Sequence, residues 1–390
     1  MKVPMLDLRA QYERIGAEIE KNVLEVLRGG QWVLGPAARK FEEEIQAYTG
    51  ARHAIGLASG SDALLLGLQA LDVGPGDEVV TTPFSFFATA SAVTRLGAVP
   101  VFLDVDPATF NLSPREVERF LRQGCAREAD RTVDRKTGRR VRAIQPVHLF
   151  GQTADMDALL ALARELGLAV VEDAAQAIGA RHGAAGRMAG TMGDVGCFSF
   201  YPSKNLGGVG DGGMAVTDGD ALAARLVRLR NHGDAGGYDH REVGINSRLD
   251  AVQAAALSAK LPWLDEWSRG RARNAAAYDE LFAETGLAGR VTTPVTEKGN
   301  LHIFNQYTIQ VDGRDALLAH LRSREIGCAV YYPTPLHLQP CFAFLGGKRG
   351  DLPAAERVAA RCLSLPIYPE LAYVQQRRVV DEIAAFLGKG

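Results

Sequence analysis

Short apolar runs alternate with amphipathic stretches along most of the chain. Residues 54–58, 78–82, 99–103, 143–147, 168–173, 195–200 and 214–217 are dominated by aliphatic and aromatic side chains and bounded by glycine, proline or polar residues. Runs of that length predict strands buried on both faces. Helical spacing fills the gaps. Residues 62–70 open behind Ser61 and Asp62, good N-terminal residues. Residues 157–166 place Leu159, Leu160, Leu162, Ala163 and Leu166 along one helix and stop at Gly167, a C-terminal cap. This alternation predicts an α/β architecture around a mostly parallel sheet. An amphipathic helix at 11–28 precedes it and can dock a terminal arm. Past Asp220 helices dominate, at 221–231 and 249–282, with Pro262 as a break. A strand at 306–311, a helix at 314–325 and an extended stretch at 329–332 follow. The pattern divides into an arm with a large unit, 1–261, and a smaller α/β unit, 262–390.

Composition narrows the class of function. With 390 residues the chain has room for two or three units. Its net charge of −2 leaves no basic excess to grip nucleic acid or an anionic membrane. No apolar run approaches the ~18 residues of a membrane span, and the N-terminal residues carry no signal-like apolar segment. A cytoplasmic protein is expected. Five scattered cysteines without a CxxC pair predict isolated buried thiols, with neither a metal site nor a disulfide framework. Segment 127–142 carries six arginines and one lysine around Lys136-Thr137-Gly138. Interleaved acids and the lack of aromatics favour a solvated hairpin over a nucleic-acid arm.

Three unusual segments each follow a predicted strand, where open α/β sheets place their ligands. Ala58-Ser59-Gly60-Ser61-Asp62 is a small-residue turn into a helix, and helix N-termini suit phosphate; an ordinary capped helix start is the alternative. Val171-Glu172-Asp173-Ala174-Ala175-Gln176 ends a strand with two acids on opposite faces. One of them can bind a cationic group while the other caps a helix; capping alone explains the pair equally well. Ser199-Phe200-Tyr201-Pro202-Ser203-Lys204 leads into a glycine-rich loop. Its lysine can form a Schiff base with a carbonyl cofactor, and Ser199 and Ser203 can hold an anion. Gly208-Val209-Gly210-Asp211-Gly212-Gly213 matches GxGxxG, but a strand follows it where dinucleotide binding needs a helix. An anion cradle, an acid and a lysine together are what pyridoxal 5'-phosphate requires. Pro83-Phe84-Ser85-Phe86-Phe87 supplies a candidate ring-stacking aromatic in Phe86, and a place in the core explains the aromatic run equally well.

At this point the sequence resembles the DegT/DnrJ/EryC1/StrS family of pyridoxal-phosphate-dependent nucleotide-sugar aminotransferases. Segments 3–8, 59–64, 146–152, 172–176, 199–207 and 244–250 carry the resemblance over nearly the whole chain. It implies a fold type I, aspartate aminotransferase-like α/β enzyme with a large seven-stranded mixed sheet and a small C-terminal domain. Lys204 would bind the cofactor covalently and shuttle protons. Asp173 would hold the pyridine nitrogen, and Gln176 would face the phenolic oxygen. Gly60, Ser61 and Ser199 would hold the phosphate, and Phe86 would stack on the ring. Asn246 would reach a neighbouring subunit's phosphate, which makes a homodimer the active unit. Arg248, His148, Tyr332 and His337 would lie near the substrate, although a structural role would suit each of these as well. Relatives with histidine at the lysine position dehydrate sugars, so Lys204 favours transamination from an amino acid, usually glutamate, to a nucleotide-linked keto-sugar. The segment Tyr331-Tyr332-Pro333-Thr334-Pro335-Leu336-His337 resembles members acting on 3-keto sugars more than 4-keto ones. A dehydratase of the same fold, and a non-catalytic sensor or scaffold, are the rival expectations.

Overall fold

A computed structural model describes residues 1–129, 131–287 and 289–388. The chain opens with α1 (Leu8–Gly29), α2 (Pro36–Thr49), β1 (His53–Leu57), α3 (Gly60–Ala70), β2 (Asp77–Thr81), α4 (Ala88–Arg95), β3 (Val99–Phe102) and α5 (Pro114–Arg119). It continues through β4 (Cys125–Glu128), β5 (Arg131–Asp134), β6 (Arg140–Gln145), α6 (Met156–Leu166), β7 (Ala169–Asp173), β8 (Arg181–His182), β9 (Arg187–Met188), β10 (Val195–Ser199) and β11 (Gly213–Thr217). It closes with α7 (Asp220–Leu229), α8 (Ala251–Lys260), α9 (Leu264–Glu284), β12 (Val291–Thr292), β13 (Tyr307–Val311), α10 (Arg314–Ser323), α11 (Pro353–Arg361), β14 (Cys362–Leu365) and α12 (Tyr373–Leu387).

Seven strands form one path, β1-β11-β10-β7-β6-β2-β3, with β4 and β5 attached through β6. Along the path only β11 is reversed; β10, β7, β6, β2 and β3 pair in parallel. Residues alternate between two layers, as strand geometry requires. Ile55, Val79, Ala143, Val171, Cys197 and Ala215 pack with α3, α4 and α7. On the other face Ala54, Phe198, Met214 and Val216 meet α2 and α8, while Val80, Ile144 and Val170 meet α5 and α6. Helix α3 is wedged between sheet and outer helices, so Leu64, Leu65, Leu66 and Leu68 are all buried. A β12-β13-β14 sheet with α10 and α12 forms a second core. Helix α9 serves both: Leu264 joins the large core, and Ala275 to Phe282 join the small one. Val3 is buried in the small core too, held by backbone bonds to Glu325 (3.0 Å) and Gly327 (2.7 Å).

Every strand expected from the apolar runs forms, with ends shifted by no more than three residues. The break at Pro262 separates α8 from α9. The arginine-rich segment is a hairpin, β4 pairing antiparallel with β5 from Cys125↔Asp134 to Glu128↔Arg131. Arg142 turns inward and donates to the Leu71 carbonyl past the end of α3 (2.8 and 3.0 Å). Helices α2, α11 and α12 were not among the expected elements. For α2 the signals were available: Pro36 in the first turn, Gly50 as a left-handed cap, and Phe41 and Ile45 on one face.

Candidate active site

The carboxyl ends of the parallel strands open on a cavity of about 520 Å³. Gly60, Ser61, Phe86, Asp173, Gln176, Ser199, Lys204 and Tyr332 all line it. Segments far apart in sequence are thus brought together by strand order alone.

Lys204 sits in a turn closed by its own N–H donating to the Tyr201 carbonyl (2.8 Å). The next residue anchors that turn. Asn205 is buried, donates to the Ile303 carbonyl (3.1 Å) and accepts from the Asn305 amide (2.6 Å). The chain then doubles back, with Gly208 N–H donating to the Phe200 carbonyl (2.7 Å). Gly207 fits this loop because a Cβ there would fall 2.3 Å from the Pro202 oxygen. The Lys204 amine opens into the cavity but is closely ringed by protein. Burial lowers its pKa to about 8, and the negative charge of Asp173 opposes that fall.

The two acids at the end of β7 have separate fates. Asp173 is buried and faces the cavity. Its Oδ2 accepts from the Thr89 hydroxyl (2.7 Å) and its Oδ1 from the Ala175 N–H (3.2 Å). Burial raises its pKa against the pull of Thr89, Ala175 and Lys204. Ser85 lies behind Thr89 with the two hydroxyl oxygens 2.8 Å apart. Glu172 points to the opposite layer. It accepts from Gly190 (2.8 Å), Met192 (2.6 Å) and Gly193 (2.5 Å) N–H groups and pairs with His148 Nε2 (2.7 Å). Burial alone would raise its pKa, but His148 and the Gly193 and Gly190 N–H groups outweigh burial and leave it lowered.

The cradle forms at the start of α3. The Ser59 hydroxyl accepts from Asp62 N–H (3.1 Å) and caps the helix, leaving the first N–H groups of the helix directed outward. A Cβ on Gly60 would lie 2.6 Å from the Ser199 Cβ, so glycine is what permits this approach. Gln176 accepts from Phe150 N–H (2.7 Å) and donates to the Tyr332 hydroxyl (3.1 Å). Phe86 is 57% exposed at the mouth, its ring centroid 6.3 Å from that of Tyr332.

Four expected residues lie outside this lining. His148 is fully buried; its Nδ1 accepts from Ala154 N–H (3.1 Å), so Nε2 carries the proton toward Glu172. His337 is also buried, against Glu356 (3.2 Å). Asn246 is exposed, and Arg248 donates to Asn231 Oδ1 (3.0 Å). Between them Ser247 is buried, accepting from Ala58 N–H (3.2 Å) and donating to Asp62 (2.8 Å). This ties the 244–250 segment to the cradle. Sequence reasoning missed Thr89, Ser247, Tyr331 and Gln306. Only Thr89 had a local signal, a hydroxyl one helical turn after Ser85. Among the described residues no cluster of acids, histidines and cysteines could hold a metal ion, and no helix is long and apolar enough to cross a membrane.

The donor set fits pyridoxal phosphate: an amine and a buried carboxylate facing one cavity, an aromatic at its mouth, and a cradle that a Cβ at Gly60 would fill. A parallel-centred sheet carrying that set at its carboxyl ends defines a site of the pyridoxal-phosphate-dependent aminotransferase type. The family model for DegT/DnrJ/EryC1/StrS aminotransferases matches residues 13–384, and the chain belongs to that family. It is 49% identical over 386 residues to a pleiotropic regulatory protein of Geobacillus stearothermophilus, covering 99% of each chain. It is 42% identical to a UDP-N-acetyl-3-dehydro-alpha-D-glucosamine 3-aminotransferase of Acidithiobacillus ferrooxidans, over 98% of this chain and 97% of the relative. The crystal structure of DesV from S. venezuelae in complex with a ketimine intermediate superposes with a TM-score of 0.91 at 42% identity, covering 99% of this chain and 98% of that one.

Proposed function

We propose that this protein transfers an amino group from an amino acid, glutamate by preference, to a 3-keto nucleotide-linked sugar, as a cytoplasmic homodimer using pyridoxal 5'-phosphate. The observation that carries the reading is the shared cavity of Lys204 and Asp173, coupled closely enough for Asp173 to hold up the lysine pKa. The cofactor, when bound, supplies a carbonyl that captures amines and a ring that stabilises negative charge at the carbon losing its proton. Lys204 would hold that carbonyl and, once the donor's amine has displaced it, its freed amine would accept and return the proton at the donor's α-carbon. Asp173 pairs with the ring nitrogen, and Thr89 fixes the carboxylate in place. The α3 N-terminus with Ser61 and Ser199 binds the phosphate, and Phe86 covers the ring. Gln176 faces the phenolic oxygen and Tyr332 meets the sugar, while Arg248, which lies outside this cavity, would meet a nucleotide that extends beyond it. Asn246, exposed beside the cradle segment, reaches the partner's phosphate. With a net charge of −2 the protein has no general field for an anionic substrate, so local cations such as Arg248 must supply the attraction.

Support for the 3-keto position comes from the Acidithiobacillus relative's activity. The name of the Geobacillus relative favours a second, regulatory reading. One experiment separates them. Purified protein is loaded with cofactor, and its visible band is followed on adding glutamate. Loaded enzyme is then offered 3-keto and 4-keto nucleotide sugars, with products identified by mass and NMR. Loss of the band with glutamate and amination of a 3-keto sugar are expected, and Lys204→Ala abolishes both. A protein that binds no cofactor, or a Lys204→Ala variant that turns over normally, defeats the catalytic reading. Preference for a 4-keto sugar defeats only the ketone position.

A further inference from the structure

Lys260 is a buried cation that the chemistry above leaves unused. It ends α8 and is 7% exposed. Its Nζ donates to the Gly207 carbonyl at 2.7 Å. Burial alone accounts for the fall of its pKa to about 8, with no charged group contributing. A buried ammonium with no counterion among the described residues is a costly way to fill space, and a methionine of similar length would do it at lower cost. The α8 C-terminal carbonyl dipoles offset only part of that cost. What the ammonium does accomplish is local: it grips the backbone three residues beyond Lys204.

A second α8 side chain grips the same loop. Gln253 lies two turns before Lys260 on the same face, and its Oε1 accepts from Val209 N–H (2.9 Å). Cβ atoms on Gly208 and Gly210 would fall 2.7 and 2.5 Å from the Gln253 amide, so the glycines let the loop lie against this face. The loop itself begins at the Tyr201–Lys204 turn.

We infer that Lys260, with Gln253 beside it, is a positioning clamp for Lys204: the ammonium on the Gly207 carbonyl keeps the lysine loop drawn onto α8 and the Lys204 amine aimed into the cavity. The inference rests on the function proposed above for Lys204. Its test compares cofactor-loaded wild type, Lys260→Met and Lys260→Gln, the last keeping an N–H donor on a slightly shorter stem. Three quantities are read: the pH midpoint of the visible absorption band, kcat against KM for the glutamate half-reaction, and the thermal midpoint. Misplacing a reacting group by about 1 Å can cost on the order of 100-fold in rate. Lys260→Met is therefore expected to lose roughly 10-fold or more in kcat with KM little changed and to shift the pH midpoint. Lys260→Gln is expected to recover part of both. A Met variant with wild-type kcat and pH midpoint overturns the clamp. So does a loss that merely tracks the folded fraction and is not recovered by Gln. If Lys260→Met does not fold, Gln253→Leu carries the test: a several-fold fall in kcat at constant KM supports the clamp, and wild-type kcat and midpoint overturn it. A wild type with no visible band defeats the proposed function instead, which keeps the two failures apart.

Discussion

The hydrogen bond from Thr89 to Asp173 offers the sharpest test of how the site's electrostatics are built. Thr89→Val keeps the shape of the side chain and removes the hydroxyl. Asp173 Oδ2 then loses its donor at 2.7 Å while remaining buried, and Ser85 loses its neighbour. A hydrogen bond to a charged group contributes about 1.5–3 kcal/mol. Its loss falls on the ionised carboxylate, raising further a pKa that burial already raises. On the proposed function, the ionised form is the one that would pair with the ring nitrogen of the bound cofactor. If the whole loss is expressed there, the glutamate half-reaction slows by roughly 10- to 150-fold. Stopped-flow absorbance at pH 7 measures it, with Thr89→Ser as the control that keeps the hydroxyl. Equilibrium unfolding of cofactor-free protein should show a smaller cost, because protonating Asp173 relieves the unpaired charge. A Thr89→Val enzyme within twofold of wild type would refute the assignment of Asp173 as an ionised partner steadied by Thr89.

Three further outcomes are expected. Gly60→Ala places a Cβ 2.6 Å from that of Ser199; overpacking of this kind costs about 1–3 kcal/mol, so cofactor affinity by equilibrium dialysis should fall about 10-fold, and adding Ser199→Gly should return part of it. Unchanged affinity would remove the phosphate from this cradle. Lys260 has a folded pKa near 8, below its unfolded value of 10.5, so between those values the unfolded chain binds more protons and stability rises with pH, by up to about 1.4 kcal/mol per unit for this one group. Denaturant unfolding of cofactor-free protein from pH 8 to 10.5 should show a shallower rise in Lys260→Met; equal slopes would contradict the burial of a titrating ammonium there. Mixing Lys204→Ala with Asn246→Ala subunits should restore part of the activity if sites are shared between subunits, and no recovery would count against the exposed Asn246 serving a partner.

Much of the site was legible because strand ends announce themselves. Lys204, Asp173 and the Ser59–Ser61 turn each follow an apolar run, and a sheet with parallel neighbours brings such ends together. Polarity at the end of a buried strand therefore carried spatial information. The fate of the adjacent acids was half legible: alternation put them on opposite faces, but nothing local showed that Glu172 would be saturated by three N–H groups and His148. His148 follows β6 by three residues, where a cavity position is natural, and only the fold reveals that it turns to the other layer. Ser247 was hidden for a different reason. Its partners Ala58 and Asp62 are more than 180 residues away in sequence, and no periodicity spans that interval.

The pairing of Leu57 with Gly213, and of Gly213 with Ser199, has a consequence for quality control. The cradle and the root of the lysine loop hang from this single rung across β1, β11 and β10. A one-residue slip of β11 would misalign the cradle, and it would also send Met214 and Val216 into the layer of Ala215 and reverse Ala215 in turn. A chain in the slipped register would therefore lose its core packing together with the cradle, so this route to losing the cradle leaves no folded protein. Cofactor stoichiometry in a purified sample then doubles as an assay of how much of the protein has reached its native register.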